Sequence, residues 1–230
     1  MTPSPRRRGV VFDLDGVLVM SEHLWEEAWR FYALQRGYEW TADDTRQCQG
    51  MSVSEWASYV AVRTSGNPAA AARDVVDRVN QSYVAGRVSL ASGAEELVAA
   101  LAARVPIGLA SSAPRQIIDT VMETMGIGPY FSATVSSAEV RRGKPSPDVY
   151  REAVQRLGID PSGSLAVEDS SNGVRAAAAA GLAVIAVAHE PYPLAPDAAA
   201  LVASVQHSLA GVKIEILRML DRPMPGDQRP

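Results

Sequence analysis

Val10-Val11-Phe12-Asp13-Leu14-Asp15-Gly16-Val17-Leu18 is a short apolar run that ends in two carboxylates one residue apart, followed by a glycine. Continuous β-branched and aromatic residues read as a strand buried on both faces of a parallel sheet. Burial without a partner costs a carboxylate far more than packing returns. Two acids at the exit of such a strand therefore need a chemical reason. In an open α/β sheet the carboxyl end of a strand is where ligands bind. Asp13 and Asp15 are thus the expected centre of an acidic site.

The chain alternates downstream of residue 92. Strands are expected at Val105–Ala110, Ala133–Ser136, Leu165–Val167, Leu182–Ala188 and Ala200–Ala203. Helices separate them, opened by Pro114 and Pro147 and closed by Gly126, Gly158 and Gly181. This pattern predicts an α/β fold with a doubly wound parallel sheet. Residues 20–88 differ, reading as helix with no strand. Ser21–Gln35 carries helical spacing, Ser52-x-x-Glu55 is a capping box, and Asn67-Pro68 opens a third helix. Such a stretch is too long for a connection and predicts a small inserted helical domain. The expected division is a core of residues 1–18 and 90–230 and a helical cap of 19–89. Residues 1–8 and 222–230 read as tails.

At 230 residues the chain can bury a full core, and 47% hydrophobic with 21% charged residues is ordinary for a globular protein. The net charge of −4 carries no nucleic-acid footprint, and Arg6-Arg7-Arg8 reads as a solvated tail. No apolar run reaches the ~18 residues of a membrane span. The single Cys48 excludes an intramolecular disulfide and fits a reducing cytoplasm. Trp25, Trp29, Phe31 and Tyr32 read as the apolar core of the helical insert ahead of the alternative, a platform for a sugar ring.

Four polar groups fall at or just after strand ends: Asp13 with Asp15, Ser111 with Ser112 beside it, Lys144, and Glu168 with Asp169. One sheet edge can gather them. Carboxylates from two strand ends suit a divalent cation such as Mg²⁺, which takes one or two carboxylates plus phosphate and water oxygens. A hydroxyl and a lysine suit the remaining phosphate oxygens. A carboxylate can attack phosphorus, and a second can move the proton.

Taken in order, Asp-Leu-Asp-Gly-Val-Leu, Ser111 after an apolar strand, Gly-Lys-Pro-Ser-Pro-Asp and Glu-Asp-Ser-Ser-Asn-Gly resemble the four motifs of the haloacid dehalogenase superfamily. The resemblance spans residues 9–188. The insert looks like the α-helical cap of its sugar-phosphate phosphatase and β-phosphoglucomutase group. It implies Asp13 as nucleophile and metal ligand, and Asp15 as general acid/base with its carbonyl on the metal. Ser111 and Lys144 would hold the phosphoryl group, Asp169 and Glu168 would support the metal, and Arg115 would be a further phosphate contact. Dehalogenases of the superfamily lack an aspartate at the Asp15 position, so Asp15 favours phosphoryl transfer. Phosphonatases use a cap lysine, and residues 20–88 contain none. β-Phosphoglucomutases place a histidine twelve residues after the nucleophile, where this chain has Trp25. Met20 departs from the Asp or Thr of most relatives.

The expected activity is Mg²⁺-dependent hydrolysis of a small phosphate monoester by a cytoplasmic monomer, with a small phosphorylated metabolite as partner and neither nucleic acid nor membrane. The alternatives are a β-phosphoglucomutase-like phosphomutase and a non-catalytic phosphate-binding module.

Overall fold

A computed structural model describes residues 7–188 and 193–222. Most of the two expected tails therefore lies outside the described residues. β1 (Val10–Phe12) is buried along its whole length and sits at the centre of the sheet. It pairs in parallel with β2 (Ile107–Ser111) on one side and β4 (Leu165–Glu168) on the other. β3 (Ala133–Ser136), β5 (Ala183–Val187) and β6 (Val202–Gln206) complete a six-stranded parallel sheet of order β3-β2-β1-β4-β5-β6. The chain winds one way from β1 to β3, then crosses to β4. That reversal leaves a crevice at the carboxyl ends beside β1.

Successive side chains of a strand point to opposite faces, and the core divides accordingly. Val10 and Phe12 pack with Leu109 against α5 (Ala94–Ala102), α6 (Arg115–Thr124) and α10 (Leu209–Leu220). Val11 and Ala110 face α7 (Asp148–Leu157) and α8 (Ser171–Ala179). A short α9 (Pro196–Ala199) precedes β6.

Residues 22–84 hold four helices and no named strand: α1 (Glu22–Leu34), α2 (Ala42–Cys48), α3 (Val53–Thr64) and α4 (Pro68–Val84). Their buried side chains, among them Leu24, Trp56, Val75 and Tyr83, continue the Phe12-side core without a break. The two crossings to the sheet run side by side. Ala91 N donates to Leu18 O at 2.8 Å, and Val19 and Leu90 form an isolated antiparallel bridge.

Three elements differ from the sequence expectation. No separate helix is expected from the sequence between Gln35 and Ser52, because Ala-Asp-Asp-Thr-Arg-Gln-Cys has almost no apolar stripe. A capping box between Thr41 and Asp44 starts α2 there instead. The last strand is Val202–Gln206 rather than Ala200–Ala203. Edge position leaves alternate residues exposed, so it lacks the apolar run that marks β1. α8 begins at Ser171, whereas the apolar run that marks it in the sequence starts at Val174, because the Ser170 side chain caps it by accepting from Gly173 N.

Candidate active site

β1 delivers Asp13 to the sheet edge, where Asp13 N donates to Val167 O at 2.9 Å. The chain then turns sharply at Gly16, whose φ is +78°, a region that favours glycine. A Cβ there would stand 1.9 Å from Asp169 Oδ2, so the first turn and the end of β4 meet at van der Waals distance only because Gly16 is bare.

Lys144 is drawn in from the other side of the sheet and is 2% exposed. Its Nζ donates to Asp13 Oδ1 at 2.6 Å and to Glu168 Oε1 at 2.5 Å. Glu168 is fully buried. Its Oε1 also accepts from Tyr150 Oη at 2.8 Å, and its Oε2 accepts from Asp169 N, Ser170 N and Ser170 Oγ at 3.0–3.2 Å. Both carboxylate oxygens thus have donors. Glu168 is an anchor for Lys144 and for the start of α8.

Asp13, Glu168 and Asp169 each offer a carboxylate oxygen, all within 4.8 Å of one another. Burial first, then Glu168 and Asp15, push the Asp13 carboxyl up to about 8 against the pull of Lys144. Burial and the neighbouring acids raise Asp169 well above the carboxylate range. Burial alone would lower Lys144, but Asp13 and Glu168 outweigh it and hold the ammonium above its ordinary range. The lysine therefore stays charged, and the acids outnumber it. An all-oxygen donor set whose acids are held above the carboxylate range by burial and by one another fits a hard divalent cation that would take the place of their protons. Asp13 and Asp169 could hold it, with Glu168 beside them as a direct or water-mediated support.

Asp15 points the other way, toward the helical insert. Its Oδ1 accepts from Ser21 Oγ, from Trp25 Nε1 at 3.3 Å and from Tyr83 Oη at 3.4 Å. Among the described residues no donor reaches Oδ2. Burial raises this carboxyl too, while the three donors pull it down. Ser111 ends β2 buried, its Oγ accepting from Ala113 N at 3.0 Å. Ser112 lines the same space with a buried Oγ that has no partner.

Asp13, Asp15, Ser111, Ser112, Lys144 and Asp169 all open onto one cleft of about 620 Å³ between the sheet edge and α1–α3. Arg115 does not. Its Nε donates to Glu139 Oε1 at 2.6 Å and its terminal nitrogens to Thr134 Oγ1 and O at 2.7 and 3.0 Å. The expected phosphate contact is corrected on that ground, since an acid and a strand edge already hold the guanidinium. Phe31 is also corrected, being 41% exposed rather than core. Trp29 and Tyr32 are buried as expected, whereas Trp25 is half-buried and borders the cleft. Sequence reasoning missed Tyr150, Tyr83 and the contacts of Trp25. Their only sequence signal is an apolar position on a helix, which does not say that a polar tip reaches a carboxylate.

A parallel sheet with carboxylates and one lysine gathered at its carboxyl ends defines a class of hydrolases. The family described as haloacid dehalogenase-like hydrolase matches residues 8–181, and the chain belongs to it. The chain is 30% identical over 174 residues to validoxylamine A 7'-phosphate phosphatase of Streptomyces hygroscopicus subsp. limoneus, covering 75% of this chain and 81% of that protein. It is 30% identical over 182 residues to hexitol phosphatase B of Escherichia coli, covering 77% and 82%. It is 33% identical over 190 residues to the bifunctional riboflavin kinase/FMN phosphatase of Arabidopsis thaliana, covering 79% of this chain but only 48% of that longer protein. Among solved structures, CbbY from Rhodobacter sphaeroides in complex with phosphate superposes with a TM-score of 0.80 at 24% identity, covering 94% of this chain and all of that one. The protein is an enzyme, a hydrolase of the phosphatase type, and its curated relatives include phosphatases of phosphorylated sugars and related compounds.

Proposed function

We propose that the protein is a Mg²⁺-dependent phosphatase that hydrolyses a small phosphate monoester through phospho-Asp13. The observation that carries this is the Lys144 bridge from Asp13 Oδ1 to Glu168 Oε1, which joins the ends of β1 and β4 to the loop between β3 and α7. Residues 19–89 act in this reading as a cap over the catalytic core. The named activities of the relatives, on a validoxylamine phosphate, a hexitol phosphate and FMN, support a phosphorylated metabolite as substrate.

In the first step an Asp13 carboxylate oxygen attacks phosphorus and the ester P–O bond breaks. Asp15 gives a proton to the departing oxygen from Oδ2, the atom that no described donor occupies. Ser111 and Lys144 hold the phosphoryl oxygens. In the second step Asp15 takes a proton from the water that attacks phospho-Asp13, and inorganic phosphate leaves. The cation held by Asp13 and Asp169 would offset repulsion between the phosphate dianion and the surrounding carboxylates.

A phosphomutase needs a second phosphate site. Of the Lys and Arg residues that line the described cleft, Arg46 is paired with Asp43, and Lys144 with Asp13 and Glu168. That charge pattern favours hydrolysis over transfer, and comparing phosphate release with isomer formation decides between them. No helix among the described residues is long and apolar enough to cross a membrane. The buried, unpaired Cys48 fits action in the cytoplasm, as a monomer in this proposal.

Asp13→Asn tests the reading directly. Turnover should fall at least about 10³-fold, with the thermal transition retained and no phosphate label trapped on the acid-quenched protein. Near-wild-type phosphate release by that variant would end the mechanism.

A further inference from the structure

The two walls of the cleft differ in chemistry. The sheet side carries Asp13, Asp15, Ser111, Lys144 and Asp169, while the helical side combines Met20, Trp25 and Met51 with the charged Glu22, Glu26 and Arg46. The Trp25 ring is braced by Trp29 and Trp56, each with its ring centroid 6.1 Å away. All four tryptophans of the chain fall within residues 25–56. Trp25 Nε1 also donates to Asp15 Oδ1 at 3.3 Å. In the proposed reaction Asp15 meets the oxygen of the leaving alcohol, so the indole lies where the rest of that alcohol begins.

From this juxtaposition, and resting on the phosphatase reading above, we propose that Trp25 is the specificity platform of the cleft. The leaving alcohol is a ring that lays an apolar face on the indole, and the substrate carries a single phosphate. A flat heteroaromatic ring and the C–H face of a pyranose or cyclitol share this chemistry. An indole wall offers area and stacking to such a face. It offers no partner to a hydroxyl that an open chain turns against it, and each hydroxyl left unpaired there costs affinity. An open chain also loses torsional freedom on binding that a ring has already lost. Charge excludes a second phosphate. Among the described lining residues, Asp13, Asp15, Glu22, Glu26 and Asp169 stand against Arg46, paired with Asp43, and Lys144, paired with Asp13 and Glu168. A second dianion there would be desolvated without a partner.

The test uses Asp13→Asn protein with Mg²⁺ and follows tryptophan fluorescence during titration. Glucose 6-phosphate and sorbitol 6-phosphate are a matched ring and open chain, pyridoxine 5'-phosphate is the aromatic arm, and glucose 1,6-bisphosphate is the second-phosphate arm. At least one ring monophosphate should bind about tenfold tighter than sorbitol 6-phosphate, and the bisphosphate no tighter than glucose 6-phosphate. Whichever ring binds better identifies the source of the flat face. Adding Trp25→Leu should bring the ring to open-chain ratio within about twofold, while Trp25→Phe should retain it. If Trp25→Leu does not fold, the ratios in the parent and in Trp25→Phe decide. Equal or tighter binding of sorbitol 6-phosphate, tighter binding of the bisphosphate, no binding of any ester, or an unchanged ratio in folded Trp25→Leu would overturn the proposal. Wild-type phosphate release from the same esters is scored separately. A ring preference in binding without release from any ester would sink the phosphatase reading and leave this one standing.

Discussion

Glu168 shows how a single side chain organises the site without being placed to meet substrate. Its two oxygens accept from Lys144, Tyr150, Ser170 and two backbone amides, and helix α8 packs so closely that a Cβ at Gly173 would stand 1.8 Å from Oε1. Gly173→Ala should therefore push Glu168 off Lys144. Turnover is expected to fall about 100-fold, with a stability loss of about 1–3 kcal/mol. Gly37→Ala is the contrast. Its φ is +72° but nothing stands within 4 Å, so about 1 kcal/mol of backbone strain should leave turnover unchanged. Assays and melts of both variants check this, and equal loss of turnover in the two would refute it. The sequence made Asp13, Asp15, Lys144 and Asp169 legible because acids and a lysine at strand ends have no packing reason to be there. It did not show that Glu168 faces inward, that Arg115 turns to Thr134, or that Tyr150 and Tyr83 reach carboxylates. Those are side-chain directions, fixed by packing between elements distant in sequence.

Among the elements, α2 was the least legible, and one buried acid explains why it forms. Asp44 accepts from Thr41, Tyr38 and Tyr59, with Arg63 3.4 Å away. Burial would raise this carboxyl, but the hydrogen bonds from Tyr59, Thr41 and Tyr38 outweigh it and lower it from 3.8 to about 2. A depressed acid stabilises the folded state above its unfolded value, and that stability is lost as pH falls through the folded value. The contribution is about 2 kcal/mol, fully present above about pH 4 and gone below about pH 2. Denaturant melts of wild type and Asp44→Asn should show a gap in unfolding free energy that closes between pH 5 and 2. A gap constant across that range would mean Asp44 acts by shape alone. The central strand was readable because burial on both faces imposes an unbroken apolar run, whereas the half-exposed β6 left no such mark.

For the whole molecule, crowded acids make cation binding and stability one question. Adding Mg²⁺ at about a hundredfold its dissociation constant should stabilise the fold by about 2.7 kcal/mol, raising the melting temperature by about 5–10 °C. Chelator should reverse the shift and remove turnover, and fresh Mg²⁺ should restore both. Binding near neutral pH should also release protons, because burial and acid crowding hold Asp13 and Asp169 above the usual carboxylate range until a cation arrives. A melting temperature indifferent to Mg²⁺ would remove the cation from the account. The side-by-side passage of the chain at Leu18–Val19 and Leu90–Ala91 has a consequence of its own. Where entry and exit of a segment touch, the segment can be cut out and another spliced in without stretching what remains. Replacing residues 20–89 would therefore leave the backbone path of the α/β part unstretched, but any replacement must also cover the Phe12-side core that these residues share with it.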